Sequence, residues 1–405
     1  MGKLKIFEIS FGNGSGVYFP GNAVDGHVTI ELKKSMKMRG LRLKFEGKAH
    51  VYWSEESGTG DDKKTYYYSA TEKYFDQEVL LFGIWPNQGS EAKELPSGRH
   101  TFPFQFILPL GLPSSYEAGI GYVRYIVTCN IDRPWKFDPK TKRPFTIIAL
   151  LDLNQQPNCM QPLQATSKKH LCCLCCKSGP IEATFKIERQ GFVPGEAIKL
   201  FAEISNGSNR KMSKSYVDLK MISTFRATNK TKIVVRNVAR VTRPPIEKQS
   251  EDTWSGEELV IPPLPPSFLA GCNIIDVRYV LQLNVDPSGL GLDLEVPFEI
   301  IIGSVPLMSV VQMFPPMLPP PQIMDRMYAW GTVPSAPATE DLYPYPPPSG
   351  IPNLPPPSYN ECITGRYNIT EEGDDEHTTG KLEYTPVYPY YNWGHTPGAL
   401  PDGGA

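Results

Sequence analysis

The feature that most constrains the fold of this 405-residue chain is an internal repeat of two short segments in the same order. Val17 to Val24 is similar to Gly191 to Ile198, and both contain a central Pro-Gly pair. Val123 to Asp132 is similar to Val277 to Asp286, and both begin with Val-Arg-Tyr. The offsets of 174 and 154 residues make the first copy 20 residues longer between the matches. Two ordered matches predict two copies of one fold, whereas a solenoid needs about three or more shorter repeats.

The hydrophobic pattern within each copy is that of β-strands. Leu41, Leu43 and Phe45 alternate with charged residues, which is the period of a strand with one buried face. Phe185 and Ile187 repeat this alternation in the second copy. Turn signals such as the Pro-Gly pairs separate these runs, and many short strands with regular turns predict a β-sandwich or barrel.

The end of the chain has a different composition, because 20 of the 41 prolines lie in residues 306–405. Proline fixes φ and has no N–H to donate to a sheet, so a proline-rich stretch is typical of an extended, disordered segment. We therefore predict one domain in residues 1–155 and another in residues 181–306. A Cys-rich linker, 156–180, joins them, and a disordered tail follows in residues 307–405.

Charge divides the chain in the same place. The tail carries 3 Lys or Arg against 11 Asp or Glu, a net −8, so the remainder carries +6 of the total of −2. A basic body favours contact with an anionic membrane surface or an acidic cargo segment. The alternative is an ordinary solvated surface.

Several classes of protein are disfavoured by what the sequence lacks. The N-terminus has no apolar signal-peptide core, and the longest apolar runs fall far short of the ~20 residues of a membrane-spanning helix, so we predict a cytoplasmic chain with peripheral membrane contact. The six histidines have no metal-ligand spacing, and there is no nucleophile elbow or phosphate-binding loop. We predict no cofactor, no catalytic residues and, because the basic residues are dispersed, no nucleic-acid partner.

The two Pro-Gly turns, the paired Val-Arg-Tyr segments, the exit Ile301 to Leu307 and a Pro-Pro-x-Tyr motif in the tail together resemble the α-arrestins, the arrestin domain-containing proteins. The resemblance covers almost the whole chain. It implies an all-β fold of two tandem immunoglobulin-like β-sandwich domains. It also implies a non-enzymatic adaptor at the plasma membrane and endosomes, bringing HECT-type ubiquitin ligases to cytoplasmic segments of membrane receptors or transporters for ubiquitination, endocytosis and sorting. The alternative is a cargo-sorting scaffold of the same architecture that works without ubiquitin.

The strongest functional motif of the tail consists of Pro356, Pro357, Ser358 and Tyr359. A proline-rich segment already favours the polyproline II conformation, so little ordering entropy is lost on binding. The prolines of such a motif dock in the aromatic groove of a WW domain. The motif predicts WW-domain binding, with Tyr359 filling a neighbouring pocket.

A second, degenerate WW motif is formed by Pro386, Val387 and Tyr388, where Thr385 replaces the first proline. The resembled family usually carries two intact motifs, so bivalent ligase binding depends on this copy. Between the two motifs lies the acidic cluster Glu371 to Glu376. Such clusters are usually solvated, and the alternative is that this one modulates WW affinity.

Two further motifs are compatible with trafficking. The tail residues Pro334, Ser335, Ala336 and Pro337 resemble the late-domain motif that recruits the ESCRT-I sorting complex, and a chance match is the alternative. In the linker, a cluster of thiols beside basic residues predicts reversible palmitoylation. It consists of Cys172, Cys173, Cys175 and Cys176. A zinc knuckle and plain reduced thiols are the alternatives.

Overall fold

The computed structural model describes residues 3–58, 62–89, 91–173, 176–289, 292–317 and 357–394. Strands dominate these ranges. Within them no helix is long and apolar enough to cross a membrane.

The N-terminal domain is a sandwich of two mainly antiparallel sheets. Its strands are β1 (Leu4–Phe11), β2 (Val17–Tyr18), β3 (Ala23–Leu32), β4 (Met36–Met38), β5 (Gly40–Ser57), β6 (Lys64–Gly83), β7 (Lys93–Leu95), β8 (Gly98–Ile107), β9 (Tyr116–Ala118), β10 (Gly121–Asp132) and β11 (Lys140–Ile147). One sheet has the order β1-β3-β8 and the other β2-β11-β10-β5-β6, with β9 beside β10 and the small pair β4-β7 apart. Short 3₁₀ turns occur at Pro86–Gln88 and Leu153–Gln155.

Alternation in β5 places its apolar side chains between the two sheets, as the sequence predicts. Leu41, Leu43 and Phe45 are fully buried. The ring of Phe45 lies 5.7 Å from that of Phe104 and 4.6 Å from that of Phe106, both on β8 of the opposing sheet. Full burial of such a side chain is worth about 1.5–3 kcal/mol, so this contact holds the sheets together.

The C-terminal domain repeats the architecture. Its strands are β12 (Leu163–Cys173), β13 (Cys176–Ile187), β14 (Gly191–Phe192), β15 (Ala197–Asn206), β16 (Met212–Ala227), β17 (Lys230–Arg243), β18 (Ser250–Val260), β19 (Ile275–Pro287) and β20 (Leu294–Ile302). The sheets have the orders β12-β13-β15-β18 and β14-β20-β19-β16-β17. A 3₁₀ turn at Ser267–Leu269 precedes β19, and a short helix, α1 (Met308–Met313), follows β20.

The predicted linker is largely part of this domain. Residues 163–173 form β12, which pairs with β13 in a hairpin at the edge of the four-stranded sheet. Leu163 and Leu171 face the core at its two ends, but the inward positions between them include Ser167 and Lys169. These polar residues hide the alternation, which is why composition alone indicates a linker.

Hydrogen bonds buried in both domains confirm the duplication. The Tyr125 hydroxyl donates to the Pro113 carbonyl at 2.7 Å, and the Tyr279 hydroxyl donates to the Pro265 carbonyl at 2.7 Å. Both tyrosines belong to the repeated Val-Arg-Tyr segments and are fully buried. The repeated turn segments also correspond, since β2 pairs in parallel with β11 and β14 pairs in parallel with β20.

The two domains share a packed junction. The Tyr116 hydroxyl of the N-terminal domain lies 2.7 Å from the Ser223 hydroxyl of β16. A separate apolar cluster joins the end of the first domain to the exit of the second. It contains Leu153, Cys159, Val193, Val305, Leu307, Val311 and Tyr391.

Residues 357–394, here called the C-terminal segment, form strands on this body. They are β21 (Ser358–Glu361), β22 (Tyr367–Asn368), β23 (Thr378–Gly380), β24 (Glu383–Tyr384) and β25 (Val387–Tyr390). This differs from the disordered tail expected over residues 307–405. The reason is local composition, because the stretch 358–385 contains no proline at all, although the tail as a whole is rich in it.

We predict that Tyr125→Phe and Tyr279→Phe each lower the free energy of unfolding by about 1–3 kcal/mol, because each leaves a buried proline carbonyl without its donor. Denaturant unfolding of the purified chain measures the effect. Tyr67→Phe is the control, since Tyr67 is 67% exposed on β6. Equal stability of all three variants would contradict a structural role for the repeated hydrogen bond.

Candidate functional site

The C-terminal segment, which carries most of the Pro-Pro-x-Tyr motif, begins its contact with the body by extending a sheet. Strand β23 pairs in parallel with β11, with Lys140 opposite Thr378 and Lys142 opposite Gly380. The Lys381 N–H also donates to the Lys142 carbonyl at 2.9 Å. The segment therefore covers part of an edge strand whose N–H and C=O groups would otherwise face solvent.

Ion pairs hold the acidic part of the segment to β11 and to β5 of the same sheet. Lys142 Nζ lies 2.6 Å from Asp374 Oδ2 and 3.2 Å from Glu371 Oε2, and Lys48 Nζ lies 2.7 Å from Glu371 Oε1. The Lys142 side chain is only 5% exposed. Burial by itself would raise the pKa of Glu371, but the contacts with Lys48 and Lys142 outweigh it and lower that pKa. This part of the acidic cluster is bound to the body, where the sequence pattern indicates a solvated one.

Three buried tyrosines anchor the rest of the segment through their hydroxyl groups. The hydrogen bonds join Tyr384 to Thr146 Oγ1 at 2.9 Å, Tyr388 to the Ser115 carbonyl at 2.8 Å and Tyr391 to the Ser304 carbonyl at 3.0 Å. The first two partners belong to the N-terminal domain and the third follows the last strand of the C-terminal domain. The segment thus bridges both domains at their junction.

The repeated Pro-Gly turn of the second domain provides a close backbone contact for this bridge. The Tyr391 N–H donates to the Pro194 carbonyl at 3.1 Å. Gly195 has φ 95°, and a Cβ at this position would clash with the Tyr391 carbonyl oxygen. Glycine is needed here both for the left-handed backbone and for the close approach of the segment.

The motif residues lie on the outer side of this arrangement, in β21. Ser358 to Glu361 pair antiparallel with β25, so that Tyr359 lies opposite Pro389. Ser358 Oγ donates to the Tyr390 carbonyl at 3.0 Å. Tyr359 is 37% exposed, and burial raises its pKa to about 12. Pro357 is the first described residue of the segment, and Pro356 lies outside the described residues.

The structure places the second, degenerate motif beneath the first. Pro386 accepts a hydrogen bond from the Cys362 N–H at 2.9 Å, and Val387 pairs with Glu361. The Tyr388 ring is fully buried. In this arrangement Tyr388 is an anchor of the segment, and its binding to a WW domain stays a prediction.

The remaining predicted sites are less fully described. Residues 334–337 lie outside the described residues, so ESCRT-I binding stays a prediction. The backbone of Cys172, Cys173 and Cys176 lies at the tip of the β12–β13 hairpin, and Cys175 lies outside the described residues. Acylation of this tip also stays a prediction.

The sequence did not reveal which residues hold the C-terminal segment to the body. Lys48 and Lys142 read as ordinary charges on alternating strands, and Tyr384 and Tyr391 as members of an unstructured tail. The available signal was the charge division of the chain, −8 in the tail against +6 in the body. This charge division predicts contact of the body with a membrane surface or an acidic cargo segment, and that contact stays a prediction. In the structure, Glu371 and Asp374 of the chain's own tail are acidic partners of the body.

We predict that the double variant Glu371→Gln, Asp374→Asn loosens the segment, because Lys142 loses both of its charged partners while still largely buried. Limited trypsin digestion after Arg366 and Lys381 should become several-fold faster. The matched control is Glu372→Gln, Glu376→Gln, which changes the net charge equally at two exposed positions of the same cluster. Equal digestion rates for the two double variants would contradict a specific role for these ion pairs.

Comparison with known families agrees with the two-domain architecture. Residues 7–154 match the family described as arrestin (or S-antigen), N-terminal domain. Residues 177–307 match the family described as arrestin (or S-antigen), C-terminal domain. The C-terminal segment lies beyond both matches.

Similar curated proteins cover most of the chain. Arrestin domain-containing protein 17 of Caenorhabditis elegans is 29% identical over 435 residues, covering 96% of this chain and 100% of that protein. Arrestin domain-containing protein 4 of Mus musculus is 34% identical over 313 residues, covering 75% of this chain and 73% of that protein. Arrestin domain-containing protein 1 of Mus musculus is 29% identical over 346 residues, covering 84% of this chain and 73% of that protein.

Proposed function

The chain belongs to the arrestin family, in its α-arrestin group of arrestin domain-containing proteins, and from this we propose that it links membrane cargo to a WW-domain ubiquitin ligase of the HECT type. Arrestin domains are scaffold and adaptor folds, so the proposed role is binding without catalysis. The single observation that carries the ligase link is the intact motif ending in Tyr359, placed after two sandwich domains.

The chemistry of the motif supports this partner. Pro356 and Pro357 are restricted to the φ of polyproline II, which the aromatic groove of a WW domain recognises. Tyr359 supplies a large side chain with a polar tip, suited to a half-apolar pocket. The two prolines set the direction of the peptide, and the tyrosine fixes its register.

The body supplies the other half of the adaptor. Its net positive charge supports binding of acidic cytoplasmic segments of receptors or transporters near an anionic membrane. A ligase bound to the tail of the same chain has a high effective concentration near the bound cargo. Ubiquitination of the cargo then leads to its endocytosis and endosomal sorting.

We predict that a peptide of residues 350–370 binds isolated WW domains of HECT-type ligases with micromolar affinity, and that Tyr359→Ala weakens binding by at least about tenfold, because the tyrosine pocket is left empty. Isothermal titration measures both. Tyr367→Ala in the same peptide is the control, since it lies outside the motif and should bind like wild type. Failure of the wild-type peptide to bind any WW domain would refute the ligase link.

The alternative is a scaffold that sorts cargo without ubiquitin. It differs from the adaptor in one measurable respect, the dependence of cargo turnover on Tyr359. Cargo down-regulation in cells that survives Tyr359→Ala in the full chain would favour the scaffold.

We further propose peripheral attachment at the plasma membrane and endosomes through acylation of the β12–β13 hairpin tip. The hairpin pairs the backbone of Cys173 with that of Cys176 and that of Cys172 with that of Lys177, and the basic Lys168 and Lys169 precede them on β12. One acyl chain binds membranes weakly, and adjacent basic residues strengthen such binding.

Acyl exchange tests this proposal. We expect hydroxylamine-dependent label on Cys172, Cys173, Cys175 or Cys176, and its loss when all four are changed to Ser. Four other cysteines serve as internal controls without label, because burial raises the pKa of each thiol. They are Cys129, Cys159, Cys272 and Cys362. Absence of label at the hairpin tip would end the proposal.

A further inference from the structure

We propose that the C-terminal segment is an intramolecular latch that masks the ligase motif, so that a WW domain gains access to Tyr359 only when Ser358–Glu361 separate from Val387–Tyr390. The inference rests on the proposed function in one respect, the identity of the partner as a WW domain. It adds a regulation of that site, in which affinity for the ligase depends on how firmly the segment is held by the body.

The motif paired in β21 and the motif bound to a WW domain need different conformations. In β21 the motif backbone is paired with β25, and Ser358 Oγ is bound to the Tyr390 carbonyl. The Tyr359 side chain is 37% exposed, but its backbone is held in this pairing opposite Pro389. A WW domain needs the same residues as a separate polyproline II strand with the tyrosine ring free to enter a pocket. The two states therefore exclude each other.

Strand β25, which pairs with the motif, is itself held by the body. The Tyr388 ring of β25 is fully buried, and its hydroxyl donates to the Ser115 carbonyl. The Val387 N–H donates to Thr146 Oγ1 at 3.4 Å. The partner strand is thus attached to the N-terminal domain, while the motif strand is the outer of the two.

The C-terminal segment has little stability of its own. Its five strands are two to four residues long, and such short strands are not stable in isolation. What holds them is contact with the body through β23, the ion pairs of Lys142 and the tyrosine anchors. Weakening one of these contacts should raise the fraction of molecules with an open motif, even when the change is distant from Tyr359.

Masking of the motif has a measurable consequence for the affinity of the chain for a WW domain. When only a fraction of the molecules has the binding-competent conformation, the apparent dissociation constant rises by the reciprocal of that fraction. A motif exposed in about one molecule in ten would bind a WW domain about tenfold more weakly in the full chain than in a free peptide. A variant that opens the latch should recover most of this difference.

Two glycines of the segment provide a matched pair of variants. Gly380 and Gly373 both have φ 98°, so alanine strains the backbone similarly at either position. At Gly380 a Cβ would clash with the Lys142 carbonyl oxygen, whereas at Gly373 it would meet no atom within 4 Å. Gly380→Ala should therefore displace β23 from β11, and Gly373→Ala should not. Both changes lie outside the two sandwiches, so the body should still fold.

The decisive titration adds a WW domain to the full chain and to the 350–370 peptide. We expect the wild-type chain to bind about tenfold more weakly than the peptide. Gly380→Ala should shift the affinity of the chain several-fold towards that of the peptide, while Gly373→Ala should match the wild type. Equal affinity of the wild-type chain and the peptide would overturn the latch, although the ligase link would stand.

Thiol labelling of Cys362 measures opening of the latch without any WW domain, so it tests the latch even if the peptide fails to bind. Cys362 follows the motif by three residues and is 5% exposed beneath the paired strands. Its modification by a thiol reagent, located by peptide mass spectrometry, reports opening. We expect slow labelling in the wild type and in Gly373→Ala, and at least several-fold faster labelling in Gly380→Ala. Cys129, fully buried in the N-terminal core, is the internal control.

The labelling result stands independently of the ligase. Rapid modification of Cys362 in the wild-type chain, with Cys129 still protected, would show that the motif is open and would overturn the latch. Where the peptide does bind, a WW domain added to the wild-type chain should accelerate Cys362 labelling, because the bound motif has left β25. Unchanged labelling at saturating WW domain would mean that binding and masking do not compete, which also contradicts the proposal.

Discussion

Strand β11 lies at the edge of the larger N-terminal sheet, and the backbone groups of such an edge must find partners. The chain solves this with two of its own segments. Strand β2 pairs with Thr146 and Ile147, and strand β23 pairs with Lys140 to Lys142. Because β23 comes from near the end of the chain, closing this edge also brings the C-terminal segment to the domain junction. The position of the Pro-Pro-x-Tyr motif is therefore a consequence of how one sheet edge is completed.

Charge and burial act together at this edge. Lys142 lies on the outer face of its sheet, buried beneath the C-terminal segment with two carboxylates beside it, and a buried charge without partners would be strongly destabilising. The acidic tail and the basic body thus complement each other within one molecule. The part of the chain that is proposed to recruit a ligase is the same part that neutralises this lysine, and the proposed latch depends on this connection.

The two copies of the fold share a hydrogen bond inside the sandwich but differ on the outer face of the sheet. Tyr125 and Tyr279 make the same bond to a proline carbonyl. The arginines that precede them differ. Arg124 is buried and forms two hydrogen bonds of 2.7 Å with Glu117, whereas the side chain of Arg278 is 53% exposed and contacts Asp276. Packing inside the sandwich restricts the tyrosine, but the outward face is free to vary with the surroundings of each domain.

The sequence by itself determined the two-sandwich architecture, because alternation such as Leu41, Leu43 and Phe45 and the repeated Val-Arg-Tyr segments are local patterns with a period of two. It also contained the Tyr359 motif, since four consecutive residues carry that signal. Only the tertiary structure decided that β12 belongs to a domain and that Glu371 binds Lys142, 229 residues away in the chain. Such contacts depend on which sheet edge is unpaired and on where a distant segment can reach it, and no local periodicity encodes either.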